Sequence, residues 1–308
     1  MTNNVSSDNI WVPLRPDEVP SETMKVVNTV VEQIPELSHS AHKIIEMASD
    51  VESVLQELVE QISSDPVLVS NILKEINSSY YGLKRKIDDL HLAVVLLGFN
   101  EVKNVAIRSC VTQSLGKGDV FEGFDTKNLW EHSYLVSVCA GTFSSEDVPQ
   151  SRGILLTLGL LHDIGKFALN AIAMIMKKRG IKPDITEKRP QSKYILENEE
   201  KLLGVNHNIV GGLLARKWNL SERFISVLEC HHYPSFFGIS EIPEEYKEEI
   251  TAICISDLIV NMFVSGKSNL PEPHKLFFEI LNTNPPLESI IKEELAEKLE
   301  NARKFLSY

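Results

Sequence analysis

The sequence predicts an all-α protein of two helical lobes. Apolar residues recur at three- and four-residue spacing from Leu37 onward, and no run of strict apolar/polar alternation is long enough to make a strand. A Gly- and Asp-rich connector near residues 116–125 separates two helix-dense stretches. At 308 residues, with 43% hydrophobic and 24% charged, the chain has globular composition and enough length for two packed units.

Residues 1–32 open with an Asn/Ser-rich tail and contain Pro13, Pro16 and Pro20, which predicts a loosely attached arm with a short helix from Met24 to Glu32. Ile44, Ile45, Met47 and Ala48, then Val51, Leu55, Leu58, Val59 and Ile62, mark amphipathic helices. Asp65-Pro66 pairs an N-cap with a proline at the first helical position, where its missing amide is harmless. That helix continues through Val69, Ile72, Leu73 and Ile76, and the stretch from Asn77 to Gly82 stops it. Leu90 to Leu97 is closed by Gly98, suited to the position after a helix, and Val102 to Leu115 resumes the helical period. Gly116, Gly118 and Gly123 with Asp119 and Asp125 then end a first lobe of residues 33–125.

The second lobe, residues 126–265, is expected to hold helices near 127–143, 152–178, 191–203, 206–218, 221–232 and 245–264. Residues 266–308 form a proline-interrupted segment and a charged helix from Glu288 to Phe305. Ile290, Ile291, Leu295 and Leu299 on that helix either close the second lobe or serve as a dimer face.

The net charge of -12 excludes a binder of duplex DNA, which needs a basic face for the phosphates. Lys84-Arg85-Lys86 and Lys177-Lys178-Arg179 are local basic runs that fit solvated helix ends complementing the macrodipole. Cys110, Cys139, Cys230 and Cys254 lie far apart in apolar stretches, as buried thiols do in a reducing compartment. The first nine residues lack the basic start and apolar core of a signal peptide, and no stretch approaches the roughly 18 uninterrupted apolar residues of a membrane span. A cytoplasmic protein without a membrane partner is expected.

The sharpest local signal runs from Ile154 to Lys166, an apolar segment that delivers His162-Asp163. A segment hydrophobic all round is buried, and a buried carboxylate must meet a cation, a donor array or a metal ion. Lys166, three residues on, is one such cation. Other polar residues sit in comparable apolar settings: His132 beside Trp130 and Leu135, His207 ahead of Ile209 and Val210, His231-His232 at a helix end, and Asp257 within Ala252 to Ile259. Gly211, one turn beyond His207, allows close helix approach. Five of the nine histidines fall between residues 130 and 235. Singly each is compatible with a structural role; together they make a plausible cage, whose imidazole and carboxylate donors suit iron, manganese, zinc or nickel better than calcium. His39 and His42 read as surface residues.

The string His162-Asp163-Ile164-Gly165-Lys166, preceded by His132 and followed by His207, His231-His232 and Asp257, resembles the HD superfamily of metal-dependent phosphohydrolases. Ile34-Pro35-Glu36-Leu37, Ser64-Asp65-Pro66-Val67-Leu68, Asn77-Ser78-Ser79-Tyr80-Tyr81-Gly82 and Ala93-Val94-Val95-Leu96-Leu97-Gly98 look like successive motifs of the HDOD family, the HD-related output domain of bacterial signalling proteins. The resemblance implies that the second lobe is an HD-like helical bundle. It also implies that His132, His162, Asp163 and Asp257 hold one divalent metal, while Asp163 bridges to a second held by His207 and by His231 or His232. Since consecutive helical residues point about 100° apart, one of those last two is expected to coordinate and the other to support the site from behind or to face a substrate. Asp163 and Lys166 would be the catalytic pair of a hydrolase, Lys166 neutralising a phosphate oxygen.

After His231-His232 the chain reads Tyr233-Pro234-Ser235, departing from the Gly-Tyr-Pro signature of the cyclic dinucleotide phosphodiesterases of this superfamily. The family thus points first to a signalling output module acting through a protein partner or a nucleotide ligand. A metal-dependent phosphohydrolase acting on a nucleotide or cyclic dinucleotide stands second, and a metal-free interaction scaffold third.

Overall fold

Ser21, following Pro20, begins α1 (Ser21–Gln33), whose buried stripe is Val26, Val27, Val30 and Val31. The computed structural model describes residues 11–47, 55–77, 83, 85–115, 124–144, 150–178, 180, 194–266, 271–283, 286–287, 290–291 and 293–306. Among these residues there are helices and no strand.

The first lobe contains α2 (His39–Glu46), α3 (Leu55–Ser63), α4 (Pro66–Ile76), α5 (Leu90–Leu97) and α6 (Phe99–Leu115). The helix start at Asp65-Pro66 follows the expected chemistry, and a second start uses the same device. The Asp65 carboxylate accepts from the amides of Val67 and Leu68, both at 3.0 Å, and Asp89 accepts from Leu92 at 2.8 Å. Gly98, at φ 88°, turns the chain by 120° between α5 and α6, a backbone angle that L side chains rarely take. Asn77 ends α4 by donating to the carbonyls of Leu73 (2.7 Å) and Ile87 (2.6 Å) while accepting from the Ile87 amide (2.6 Å). The rest of the Asn77–Gly82 motif, the glycine connector at 116–123, Lys84 and Arg179 lie outside the described residues. Helices α2, α4 and α5 all pack on α6, the post of this lobe.

The second lobe contains α7 (Thr126–Ala140), α8 (Gln150–Leu161), α9 (Ile164–Lys178), α10 (Ile195–Leu203), α11 (His207–Lys217), α12 (Glu222–Cys230), α13 (Lys247–Ser265), α14 (Lys275–Ile280) and α15 (Glu293–Leu306). Helix α13 is its centre, buried without interruption from Ile250 to Val260. Helix α7 packs on α8, α13 and α15, and α11 packs on α9 and α12. One hydrophobic cluster runs through both lobes, and a second joins Leu135, Val136 and Cys139 of α7 to α13 and α15.

Three expectations change. The helix expected over 152–178 is two helices, because the backbone breaks at His162-Asp163 between α8 and α9. The run Arg152–Lys178 has the length and hydropathy of a membrane span, but 67% of its most apolar window is buried inside the fold. From Trp11 onward the arm is firmly docked: α1 packs on α9 and α11, Trp11 stands edge-on to Phe236 at 5.5 Å, the Leu14 amide donates to Glu200 Oε1 at 2.8 Å, and Arg15 pairs with Glu241 at 2.8 Å. Prolines report local rigidity and carry no information about a partner far along the chain. Finally, α15 closes the second lobe on α7, with Leu295, Leu299 and Ala302 buried; it begins at Glu293, and Ile290 and Ile291 precede it.

Candidate metal centre

The break after α8 is where the chemistry sits. His162 and Asp163 occupy the turn, both 1% exposed, and the Lys166 amide donates to the Asp163 carbonyl at 3.0 Å. Asp163 immediately precedes the first residue of α9, where a carboxylate meets the positive end of the helix. Gly165 sets the depth of the site. A Cβ there would lie 2.0 Å from the His207 carbonyl oxygen, so only glycine lets α11 approach closely enough for His207 to reach Asp163. Gly211 completes this crossing, 3.6 Å from the Gly165 backbone at its own Cβ position.

Around the turn the described structure gathers every predicted site residue. His132 on α7 places Nε2 2.8 Å from Asp257 Oδ1 and 3.7 Å from Asp163 Oδ2. His162 Nε2 is 3.3 Å from Asp163 Oδ2 and 4.0 Å from Asp257 Oδ1. On the other side His207 Nε2 is 3.2 Å from Asp163 Oδ1, 3.4 Å from His231 Nε2 and 3.1 Å from His232 Nε2. Two donor groups result, His132 with His162 and Asp163, and Asp163 with His207, His231 and His232; within each, the ligand atoms lie within 4.8 Å of one another. Asp163 belongs to both. His39 is exposed and His42 half-buried in the first lobe, away from this cluster.

Both members of the His231-His232 pair face the cluster, each with Nε2 near His207 Nε2. Helix α12 ends at Cys230, His231 and His232 carry the right-handed turn on into a 3₁₀ turn at Tyr233–Ser235, and the two rings lie 4.1 Å apart.

Lys166 Nζ sits 2.5 Å from Asp163 Oδ2. Burial opposes the ionised form of Asp163, yet His162, Lys166 and His207 outweigh it and hold the carboxyl well below its ordinary range. Asp257 is likewise depressed against its burial, by the His132 hydrogen bond and the charges of His132 and His162. His162 is raised, because Asp163 and Asp257 together exceed the cost of burying its charge. His231 and His232 are driven well below the usual imidazole value, first by burial and then by neighbouring histidines. They are neutral, the state in which imidazole offers a lone pair.

The far sides of three rings are held. His162 Nδ1 bonds the Gly159 carbonyl at 2.8 Å, His231 Nδ1 lies 3.1 Å from the Leu228 carbonyl, and His207 Nδ1 bonds Glu199 at 2.7 Å. A proton fixed on Nδ1 directs the Nε2 lone pair inward, the usual outer support of a metal-bound histidine. Glu199, which also accepts from the His207 amide at 2.9 Å, escapes sequence reasoning because Glu197-Asn198-Glu199-Glu200 looks like any solvated acidic face. Asn261, donating to Asp257 Oδ1 at 2.8 Å, is a second such support; its position one turn after Asp257 is the available signal.

The residues fit a metal. His162 Nε2, Asp163 Oδ1 and His232 Nδ1 are buried without a hydrogen-bond partner among the described residues, an expensive arrangement for a protein interior. A cation accepting the lone pairs directed into the cluster removes much of that cost.

The HDOD domain family model matches residues 34–234. An uncharacterized protein of Treponema pallidum (strain Nichols) is 25% identical over 274 residues, covering 85% of this chain and 50% of the relative. The chain thus spans about half the length of that relative. An HDOD domain protein of unknown function from Geobacter sulfurreducens has the same fold, with a TM-score of 0.63 at 18% identity, over 93% of this chain and 97% of the other. A candidate signal transduction protein from Marinobacter aquaeolei VT8 gives 0.66 at 16% identity, over 99% of this chain and 69% of the other. With the family match covering more than half of its length, the chain belongs to the HDOD domain family.

Proposed function

We propose that this HDOD chain is a bacterial signal-transduction output module whose second lobe binds one or two divalent transition metal ions, iron, manganese, zinc or nickel, and which acts by binding a protein partner or a nucleotide ligand. One observation carries the metal assignment: inward-facing imidazole nitrogens meet two buried carboxylates, while the opposite nitrogens of His162, His207 and His231 are fixed by carbonyl or carboxylate partners. His132, His162 and Asp257 would hold one ion, and His207, His231 and His232 the other, with Asp163 between them. A bound ion would supply Lewis acidity and a fixed positive charge. The four cysteines, all free and buried, with thiols pushed up to about 12 by burial, suit a reducing cytoplasm.

Elemental analysis of the purified protein beside Asp163→Ala and Asp163→Asn variants tests this reading. One or two equivalents of transition metal in the wild type, lost in both variants, is the expected result. Wild type that stays metal-free after reconstitution with iron or manganese overturns it.

A second reading, a metal-dependent phosphohydrolase acting on a nucleotide or cyclic dinucleotide, is favoured by the centre's accessible side. The side chains of His132 and Lys166 are 20% and 17% exposed, against 1% for Asp163. There Asp163 would position the metal and Lys166 would meet a phosphate oxygen. Phosphate release from a nucleotide panel with added manganese, abolished by Asp163→Ala, establishes that reading, and inertness of the metal-loaded protein removes it.

A further inference from the structure

Two residues beyond His132, and about 200° around the helix, Tyr134 leaves α7 toward a different feature. A cavity of about 740 Å³ opens where α5 and α6 of the first lobe meet α7, the start of α8, and α15. Its volume is that of a small-molecule site. The lobes are tied at its wall, where the Tyr134 hydroxyl donates to Glu101 Oε2 at 3.0 Å. Leu96, 53% exposed, and Val138 give it an apolar surface that gains from being covered.

Two cations stand on the same wall. Among the described residues Lys298 pairs within its own helix, with Glu294 at 2.7 Å, and it keeps about half of its side chain exposed. Arg152 has no acidic partner among the described residues, in a chain with 43 acidic and 31 basic side chains. An arginine with no acidic partner among the described residues, beside an apolar hollow with a second cation, is an arrangement that suits an anion carrying an apolar body.

We propose that this seam cavity binds a small organic anion, with its apolar or aromatic body against Leu96 and Val138 and its anionic group on Arg152 and Lys298. The Glu101 carboxylate, held by Tyr134, would accept a hydrogen bond from a hydroxyl or amine of the same molecule. Phosphate esters and carboxylates share this chemistry. The site is separate from the metal centre and does not depend on its occupancy.

The probe is 8-anilinonaphthalene-1-sulfonate, an aromatic body with one anionic group, titrated into the full chain and followed by fluorescence. Saturable binding at one site is expected. Arg152→Glu should weaken it by about tenfold or more, the worth of one charge-assisted contact. Thr142→Trp, an exposed position on the cavity wall, should block it by filling the space. Both positions are exposed, so melting temperature and metal content should match wild type in each variant. Displacement by adenosine monophosphate assigns the anion to the phosphate esters, and displacement by decanoate assigns it to the carboxylates. Unsaturable binding, or saturable binding that both variants leave unchanged, overturns the proposal.

Discussion

Lys103 is 1% exposed in the core face of α6, and its ammonium meets the Phe99 ring at 5.8 Å, with no carboxylate partner among the described residues. Burial lowers its pKa from 10.5 to about 8. That shift corresponds to about 3 kcal/mol of penalty on the charged form, offset in part by the ring contact, worth about 0.5–1 kcal/mol. The sign follows from proton counting. Between pH 8 and 10.5 the unfolded chain binds more protons at this site, so its contribution to stability rises with pH; below pH 8 the penalty is fully present. Lys103→Met should therefore stabilise the protein by about 1–3 kcal/mol at pH 7. The gain should shrink as urea melts are repeated toward pH 10.5, and a difference between variant and wild type that does not change with pH would contradict it. Nothing local in Glu101-Val102-Lys103-Asn104 marks this lysine as buried. By contrast His162, Asp163 and Asp257 were legible as site residues because each interrupts an apolar stretch, whereas Glu199 was hidden in an acidic run.

The α9–α11 crossing decides whether those legible residues meet. Because a Cβ at Gly165 would strike the His207 carbonyl, backbone would have to move. Gly165→Ala should cost about 3 kcal/mol or more, at the upper end of overpacking effects, and displace His207 from Asp163. A melting temperature lowered by several degrees together with reduced metal content is expected. Unchanged metal content would show that the cluster tolerates a wider crossing. The helices themselves were readable from spacing and from caps such as Asp65. The break at His162-Asp163 was not, because an all-apolar run shows no period there to be interrupted, and the end of α12 before His231 is equally silent in spacing.

For the molecule as a whole, α1 is a part of the second lobe delivered from the far end of the chain, and the first lobe is inserted between it and the rest. The stripe Val26, Val27, Val30 and Val31 is buried against α9 and α11, Lys217 Nζ reaches the Glu32 carbonyl at 2.8 Å, and the Trp218 indole donates to the Pro35 carbonyl at 2.9 Å. Four buried valines are worth roughly 1.5 kcal/mol or more apiece, an upper estimate for the set. Removing residues 1–33 should therefore lower the urea midpoint sharply and speed proteolysis in α9 and α11. An unchanged midpoint is what a loose arm would give. Composition and period showed that α1 is a helix, while its partner, set by complementarity across the whole chain, was beyond their reach. During synthesis this order has a cost: α1 leaves the ribosome well before the surface it needs, which emerges only after the entire first lobe has been translated. At about 5–20 residues per second, its valine stripe stays uncovered for roughly ten seconds or longer.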